Sequence, residues 1–348
     1  MATIKEIKEL ALYAAKKEAP ANFTVNTVDE ALRDELFKMA DSINNFNRNK
    51  YDIFEIMIET IDDIVPRRVI DRVAMFAEVR TVPQGQKTIF RRKLGRNRAK
   101  QFLTQVGLSG VYETFRLDTE SFEVSAHAVG GAGTIDFERF LDGAESMADI
   151  MDIITEGLED AVYYEILKAL QAAYQTAGRP EANQYYGSSF DADAMAKLVN
   201  TVKAYSDGVA IFATPEFVTA MGPDAIVPGT ANYQGIYSPR DIEDIANTGR
   251  IKIFRGVPIV EIPQSFIDEN NDKTVINPQF AYVLPTGREK VVKIVLEGAT
   301  QMWDWVNKDQ SIEINAYKKM GAAILTQHDW AIYVNTGLGD TSASLYGF

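Results

Sequence analysis

The chain has 348 residues, of which 46% are hydrophobic and 24% are charged, a composition typical of folded globular proteins. It contains no cysteine and only two histidines, His127 and His328, which excludes disulfides, thiolate chemistry and a three-histidine metal site within one chain. No apolar run is long enough to cross a membrane, and the charged N-terminus lacks the features of a secretory leader. We therefore expect about two globular domains and no membrane partner.

The distribution of charge is uneven. Lys and Arg total 36 against 49 Asp and Glu, for a net charge of −13. The window between Glu78 and Glu113 contains eight basic residues and no acidic one, so the rest of the chain carries 28 basic and 49 acidic residues. A strongly basic segment is thus joined to a strongly acidic body, which disfavours tight binding of the body to nucleic acid.

The N-terminal part reads as a helical arm over residues 1–64. Apolar residues recur at helical spacing in three stretches, and Pro66 is expected to end the third. Residues 65–133 change to β-branched and aromatic alternation, which predicts a long β-hairpin with flanking strands. The hairpin tip has little apolar content, and such long excursions usually have a function or are disordered.

The sequence Gly130-Gly-Ala-Gly133 is interpreted as a hinge-like bend. After it, an apolar stripe from Phe137 to Ala173 predicts a helix of about 40 residues, or roughly 60 Å. We place this helix in a unit over 134–189. Residues 190–288 predict a separate α/β unit, with a helix from Asp191 and a buried strand from Val209. Residues 289–348 predict long returning strands and the C-terminus.

No enzyme motif is complete. The sequence around Lys87 and Thr88 lacks the glycines of a phosphate loop. His127 and His328 are interpreted as polar residues with ordinary partners, and the three tryptophans as packing residues. We therefore expect no catalytic, cofactor-binding or metal-binding residue, and no cofactor.

Two charged sets do stand out by their spacing. The long helix carries seven carboxylates at spacings of four and three, which form one acidic stripe about 30 Å long. These are Glu138, Asp142, Glu145, Asp149, Asp152, Glu156 and Glu159. The hairpin tip carries a basic loop with Lys87, Arg91, Arg92, Lys93, Arg96, Arg98 and Lys100.

These two sets allow two interpretations. The acidic stripe is either a solvated helix face, where single ion pairs contribute little, or a surface that receives a basic partner. A basic tip at the end of a long ribbon is better placed to reach another copy than its own body. The second interpretation therefore predicts a self-assembling protein in which the basic loop of one copy contacts the acidic stripe of the next.

The order of these segments resembles that of tailed-phage major capsid proteins. The resemblance rests on Phe122–Asp142 leading into the long helix, on Ala210–Phe217, and on the closing stretch Ala316–Val334. These are matches of layout and texture over essentially the whole chain. The resemblance implies an α+β protein with the Hong Kong-type capsid fold, which encapsulins share.

The resemblance also implies an organisation and a set of partners. Residues 1–64 would be the N-terminal arm, 65–133 the extended loop with its flanking strands, 134–189 the peripheral domain with its spine helix, and 190–288 the axial domain. Residues 289–348 would return to the peripheral domain. The protein would form hexamers and pentamers of an icosahedral virion shell that is assembled in the host cytoplasm. Scaffold, portal or decoration proteins are further expected partners, and packaged double-stranded DNA would be touched only weakly and without specificity.

Two other interpretations remain open from the sequence. An encapsulin-type shell would enclose protein cargo, although encapsulins generally lack a long helical arm. A two-domain enzyme with an unrecognised site is disfavoured by the lack of cysteine, paired histidines and phosphate loops.

Overall fold

The structure is a computed structural model that describes residues 3–18, 20, 23–91, 121–135, 147–175, 179–221, 252–287, 290–306, 312–324 and 328–343. It is a mixed helix and sheet protein. Three N-terminal helices come first, α1 (Ile4–Lys16), α2 (Val25–Met39) and α3 (Ile43–Val73). They are followed in chain order by α4 (Met147–Gln175), α5 (Ala192–Lys203) and α6 (Pro215–Met221).

Each N-terminal helix begins at a hydroxyl side chain that caps free backbone amides. Thr3 and Glu6 form a capping box at α1, while Thr24 caps α2 and Ser42 caps α3. The expectation of three helical segments is confirmed, but the expected end at Pro66 is wrong. The helix α3 continues to Val73 with Pro66 inside it.

The physical reason for the continuation of α3 lies in burial on both sides of the proline. A proline within a helix removes one hydrogen bond and costs about 3 kcal/mol. Ile64 and Val65 before it, and Val69 and Val73 after it, are all buried in the main core. Burial of four branched side chains, at roughly 1.5 kcal/mol or more each, outweighs that cost.

The main core lies between these helices and a four-stranded sheet. The sheet has the order β1-β10-β11-β4, in which β1 pairs parallel with β10 and the other pairs are antiparallel. Its strands are β1 (Ala77–Val82), β4 (His127–Ile135), β10 (Val292–Val306) and β11 (Ile312–Ile324). Helices α3 and α4 pack on one face of it.

The glycine-rich stretch expected to be a hinge is instead the middle of β4, which corrects that interpretation. Gly130 lies opposite Tyr317 of β11. A Cβ atom at Gly130 would overlap the Ala316 carbonyl oxygen and the Tyr317 backbone. The glycine is therefore needed for close approach of two strands rather than for a bend.

A short antiparallel ribbon forms the base of the predicted long hairpin. Its strands are β2 (Thr88–Arg91) and β3 (Ser121–Val124). Phe90 and Val124 are buried against Val295 of β10, so the ribbon lies on the four-stranded sheet. The tip, residues 92–120, lies outside the described residues.

A second sheet has six strands in the order β5-β12-β9-β6-β8-β7. The strands are β5 (Gln184–Gly187), β6 (Val209–Ala213), β7 (Ile253–Phe254), β8 (Val257–Glu261), β9 (Phe280–Pro285) and β12 (Ala331–Asn335). Helices α5 and α6 and these strands enclose a second core. The helix from Asp191 and the buried strand from Val209 are confirmed.

The second sheet extends beyond the predicted 190–288 unit, because β5 and β12 belong to it. The strand β12 was expected among the returning strands of the peripheral unit, and it pairs instead with β5 and β9. All five of its residues are buried. The Asn183 side chain also donates to the carbonyl oxygens of His328 and Trp330, 2.8 Å away in each case. These bonds fix the entry of β12 into the sheet.

The predicted long helix is present as α4, which has 29 described residues and is about 43 Å long. Its expected start near Phe137 lies outside the described residues. Within the described part of the chain, no helix is both long and apolar enough to span a bilayer.

Candidate inter-subunit surface

The acidic stripe is described in its C-terminal half. Glu138, Asp142 and Glu145 lie outside the described residues, while α4 carries the other four carboxylates. The structure places these four along the side of α4 that meets the N-terminal helices. Their surroundings differ, and the cause is the position of cations on α2 and α3.

Two stripe carboxylates are paired within the chain. Arg33 of α2 donates to Asp149 at 2.6 Å. Arg68 of α3 donates to Glu159 at 3.0 Å and also bonds the carbonyl oxygen of Ala15. Glu159 is only 4% exposed, so its pairing with Arg68 offsets the cost of burying a carboxylate. This pairing joins α4 to the N-terminal helices.

The other two described carboxylates lie in an acidic surrounding. Asp152 and Glu156 are exposed. Partial burial, together with Asp29 of α2 and Glu156, raises the pKa of Asp152 above its ordinary value, against the smaller opposing effects of Arg68 and Lys17. Asp29, Asp152 and Glu156 are therefore a local excess of negative charge, and we call them the acidic cluster.

The basic loop is described only at its base. Lys87 and Arg91 lie on the β2–β3 ribbon, and Arg92, Lys93, Arg96, Arg98 and Lys100 lie outside the described residues. Lys87 pairs with Glu123 across the ribbon at 3.0 Å. Arg91 is exposed at the end of β2. The ion pair of Lys87 is therefore local, and the described residues do not bring the loop base to the stripe.

Sequence reasoning missed the cations on the other side of the stripe. Arg33 of α2 and Arg68 of α3 supply these pairs. The sequence contained a signal for Arg33. It lies next to the buried Leu32 and three residues before the buried Leu36, on an amphipathic helix whose apolar face needs a partner.

The aromatic and histidine interpretations have mixed outcomes. His127 pairs with Glu165 of α4 at 3.2 Å, which confirms an ordinary polar partner. Trp330 is completely buried, as predicted, and lies under the guanidinium of Arg179 at 3.8 Å. Trp303 and Trp305 are 46% and 67% exposed, so they are not core residues, although Trp303 packs edge-on against Tyr317. No metal-binding cluster of acidic or histidine side chains occurs among the described residues.

A protein family matches almost the whole chain. Residues 6–332 match the family described as "SPbeta prophage-derived putative capsid protein YonB". The chain belongs to this capsid protein family. As a capsid protein it has a structural rather than an enzymatic role, as the sequence predicted. No curated protein matches the sequence.

The chain is also similar to solved capsid and particle structures. The capsid of a native GTA particle aligns with a TM-score of 0.51 at 11% identity, covering 78% of this chain and 90% of the other. The cyanophage P-SCSP1u capsid gives 0.49 at 10% identity, covering 77% and 86%. The virus-like particle from Pyrococcus furiosus gives 0.45 at 14% identity, covering 79% and 98%. The first of these shows a shared fold, and the predicted Hong Kong-type capsid fold of this capsid protein is confirmed.

Proposed function

We propose that this capsid protein is the major shell subunit of a tailed double-stranded DNA phage or prophage, and that it assembles into hexamers and pentamers of an icosahedral head. The observation that carries the proposal is the match of the prophage capsid family over residues 6–332. The fold shared with the GTA particle capsid supports it. Assembly then occurs in the host cytoplasm, and the finished protein resides in the virion.

The contact between subunits includes the basic loop of one copy and the acidic stripe of the next. The acidic cluster supports this, because burial first, and then the neighbouring carboxylates of Asp29 and Glu156, raise the pKa of Asp152 despite the opposing charges of Arg68 and Lys17. Cations from a neighbour would relieve that repulsion. Since Arg33 and Arg68 already meet Asp149 and Glu159, we expect Asp152 and Glu156, with Glu138, Asp142 and Glu145, to be the main acceptors.

The charge of the subunit also bears on the genome. A net charge of −13 opposes strong binding to DNA phosphates. A closed shell can hold the genome without such binding. DNA contact is then weak, non-specific and sensitive to salt. Scaffold, portal or decoration proteins are the further partners that we propose for such a head.

The first test is assembly of the purified chain alone. Sedimentation velocity and negative-stain micrographs should show capsomers or closed shells, and particles formed in cells should contain DNA. A chain that stays monomeric over the whole concentration range contradicts the proposal. Shells filled with a protein cargo instead of DNA support an encapsulin-type compartment.

The second test reverses charge on the basic loop. The variant Arg91→Glu, Arg92→Glu, Arg96→Glu should remain folded by circular dichroism but fail to form shells. The matched control reverses Lys5, Lys203 and Lys273, which are exposed elsewhere, so both variants change net charge equally. Equal shell yields from the two variants would refute the loop–stripe contact while leaving the capsid assignment intact.

A further inference from the structure

Within the described residues, one face of the four-stranded sheet is covered only in part. Helices α3 and α4 pack on the opposite face. On the uncovered face the β2–β3 ribbon packs over Val295 through Phe90 and Val124. Val295 pairs with Gly321 and Trp303 pairs with Asn315. Since Gly321 and Asn315 are an even number of residues apart on β11, Val295 and Trp303 point to the same side.

The uncovered part of this face is aromatic. Trp305 is exposed, and the exposed Trp303 packs edge-on against Tyr317 at 5.5 Å. A groove of about 440 Å³ runs between these rings and β4. Exposed aromatic side chains beside a groove are typical of the core of a protein interface rather than of a free surface.

The strand that borders this groove also lies at the edge of its sheet. Among the described strands, β4 is outermost and pairs with β11 on one side only. It has nine residues, His127–Ile135, with no proline, no lysine and no charged side chain after His127. Natural proteins usually protect long edge strands with such residues, because the free backbone groups otherwise pair with another strand.

We propose that the uncovered face at Trp303 and Trp305, with the β4 edge, is a heterologous docking surface for an extended segment of a second copy of this chain. This proposal rests on the proposed shell function. The occupant is a second copy for two reasons. The same face already accepts a ribbon of this chain, since β2–β3 packs on its other half. A heterologous contact is also the kind that closes into rings, and Ile89 of the extended strand β2 is 55% exposed and can serve as its counterpart.

The first test uses a matched pair of edge substitutions. Thr134 of β4 and Thr81 of β1 are both exposed and lie at opposite edges of the same sheet. Thr134→Lys and Thr81→Lys therefore place the same charge at the two edges. Thr134→Lys should lower the yield of assembled particles about tenfold or more, with an unchanged melting temperature of the isolated subunit. Thr81→Lys should assemble like the parent.

The second test uses tryptophan fluorescence, since the chain has three tryptophans and only Trp303 and Trp305 are exposed. Acrylamide should quench two of the three in the isolated subunit and almost none in assembled particles. This proposal alone would be overturned if acrylamide still quenched Trp303 and Trp305 in assembled particles. It would also be overturned if Thr134→Lys gave as many particles as the parent. A parent chain that never associates would overturn the proposed shell function as well.

Discussion

Lys318 and Asp62 lie 256 positions apart in the chain, and the Lys318 ammonium contacts the Asp62 carboxylate in the folded protein. Lys318 points inward from β11 and is only 1% exposed. Asp62 of α3 also accepts bonds from the backbone amide and the hydroxyl of Thr300 on β10. One carboxylate thus ties the N-terminal helices to two strands of the sheet.

Replacement of Asp62 by alanine leaves the Lys318 charge buried without its acceptor. We expect Asp62→Ala to lower the free energy of unfolding of the isolated subunit by about 3–5 kcal/mol, because an unpaired buried charge is costly. Urea unfolding monitored by circular dichroism measures this.

The control for Asp62→Ala is Glu55→Ala, which removes one exposed partner of Lys8 while Glu59 stays in place. It should change the free energy of unfolding by less than about 1 kcal/mol. Equal effects of the two variants would contradict a special role for the buried pair.

Gly130 and Gly131 are neighbours in β4 with different surroundings. A Cβ at Gly130 meets the backbone of β11, while a Cβ at Gly131 meets nothing within 4 Å. Gly130→Ala should destabilise the subunit by about 1–3 kcal/mol through overpacking. Gly131→Ala should be neutral or stabilising, since alanine restricts the unfolded chain. Thermal unfolding of both variants decides the matter, and a harmless Gly130→Ala would disprove the close strand approach.

The pH dependence of stability should respond to Asp152. Partial burial and the nearby carboxylates of Asp29 and Glu156 raise the pKa of Asp152 from its ordinary 3.8. The folded state therefore holds this proton more tightly than the unfolded state, and stability falls as pH rises through the raised pKa. Asp152→Asn should be more stable than the parent at neutral pH, with no difference below pH 3.8.

Glu78 provides the opposite case. Burial acts to raise its pKa, but the hydrogen bonds and charges of Lys293 and Arg80 outweigh burial and lower the pKa below the ordinary 4.5. Its contribution to stability is present above pH 4.5 and is lost as pH falls through the lowered pKa. Glu78→Gln should thus be less stable than the parent at neutral pH and similar to it in acid. Urea titrations at a series of pH values measure both effects. If Asp152→Asn and Glu78→Gln changed stability in the same direction at neutral pH, the assigned environments would be wrong.

Asn183 is a buried side chain that bonds two carbonyl oxygens of the segment entering β12. Asn183→Ala leaves both acceptors without their donor and should cost about 1–3 kcal/mol. Amide hydrogen exchange should become faster in β12 in particular. Uniform acceleration over the whole subunit would argue against a local role for Asn183.

Local patterns in the sequence predicted the elements well and the contacts between distant segments poorly. The apolar residues Ile312, Ile314, Ala316 and Met320 alternate along the inward face of β11, but no such pattern places Lys318 there. Its partner Asp62 is on a helix more than two hundred residues away, and no local pattern connects them. The acidic stripe could be predicted because its spacing is a local pattern on one helix. Its partners Arg33 and Arg68 lie on other helices, so no local pattern connects them to the stripe.

The corrected elements share one physical cause, which is that tertiary packing outweighs local signals. Pro66 normally ends a helix, but buried residues on both sides continue α3. The glycines at positions 130, 131 and 133 favour a bend, but pairing with β11 keeps the stretch in a strand, and the close approach of β11 excludes a side chain at Gly130. The strand β12 has the buried apolar pattern that either sheet would accept, and the bonds from Asn183 direct it to the second sheet.

The position of β12 has a consequence for when the subunit acquires its final shape. This strand lies between β5 and β9, so the six-stranded sheet has a gap until residues 331–335 have left the ribosome. Helices α1 to α4 and the segments between them are synthesised before that last strand. A growing polypeptide therefore has no complete second sheet to offer to its neighbours, and full association is delayed until residues 331–335 have emerged.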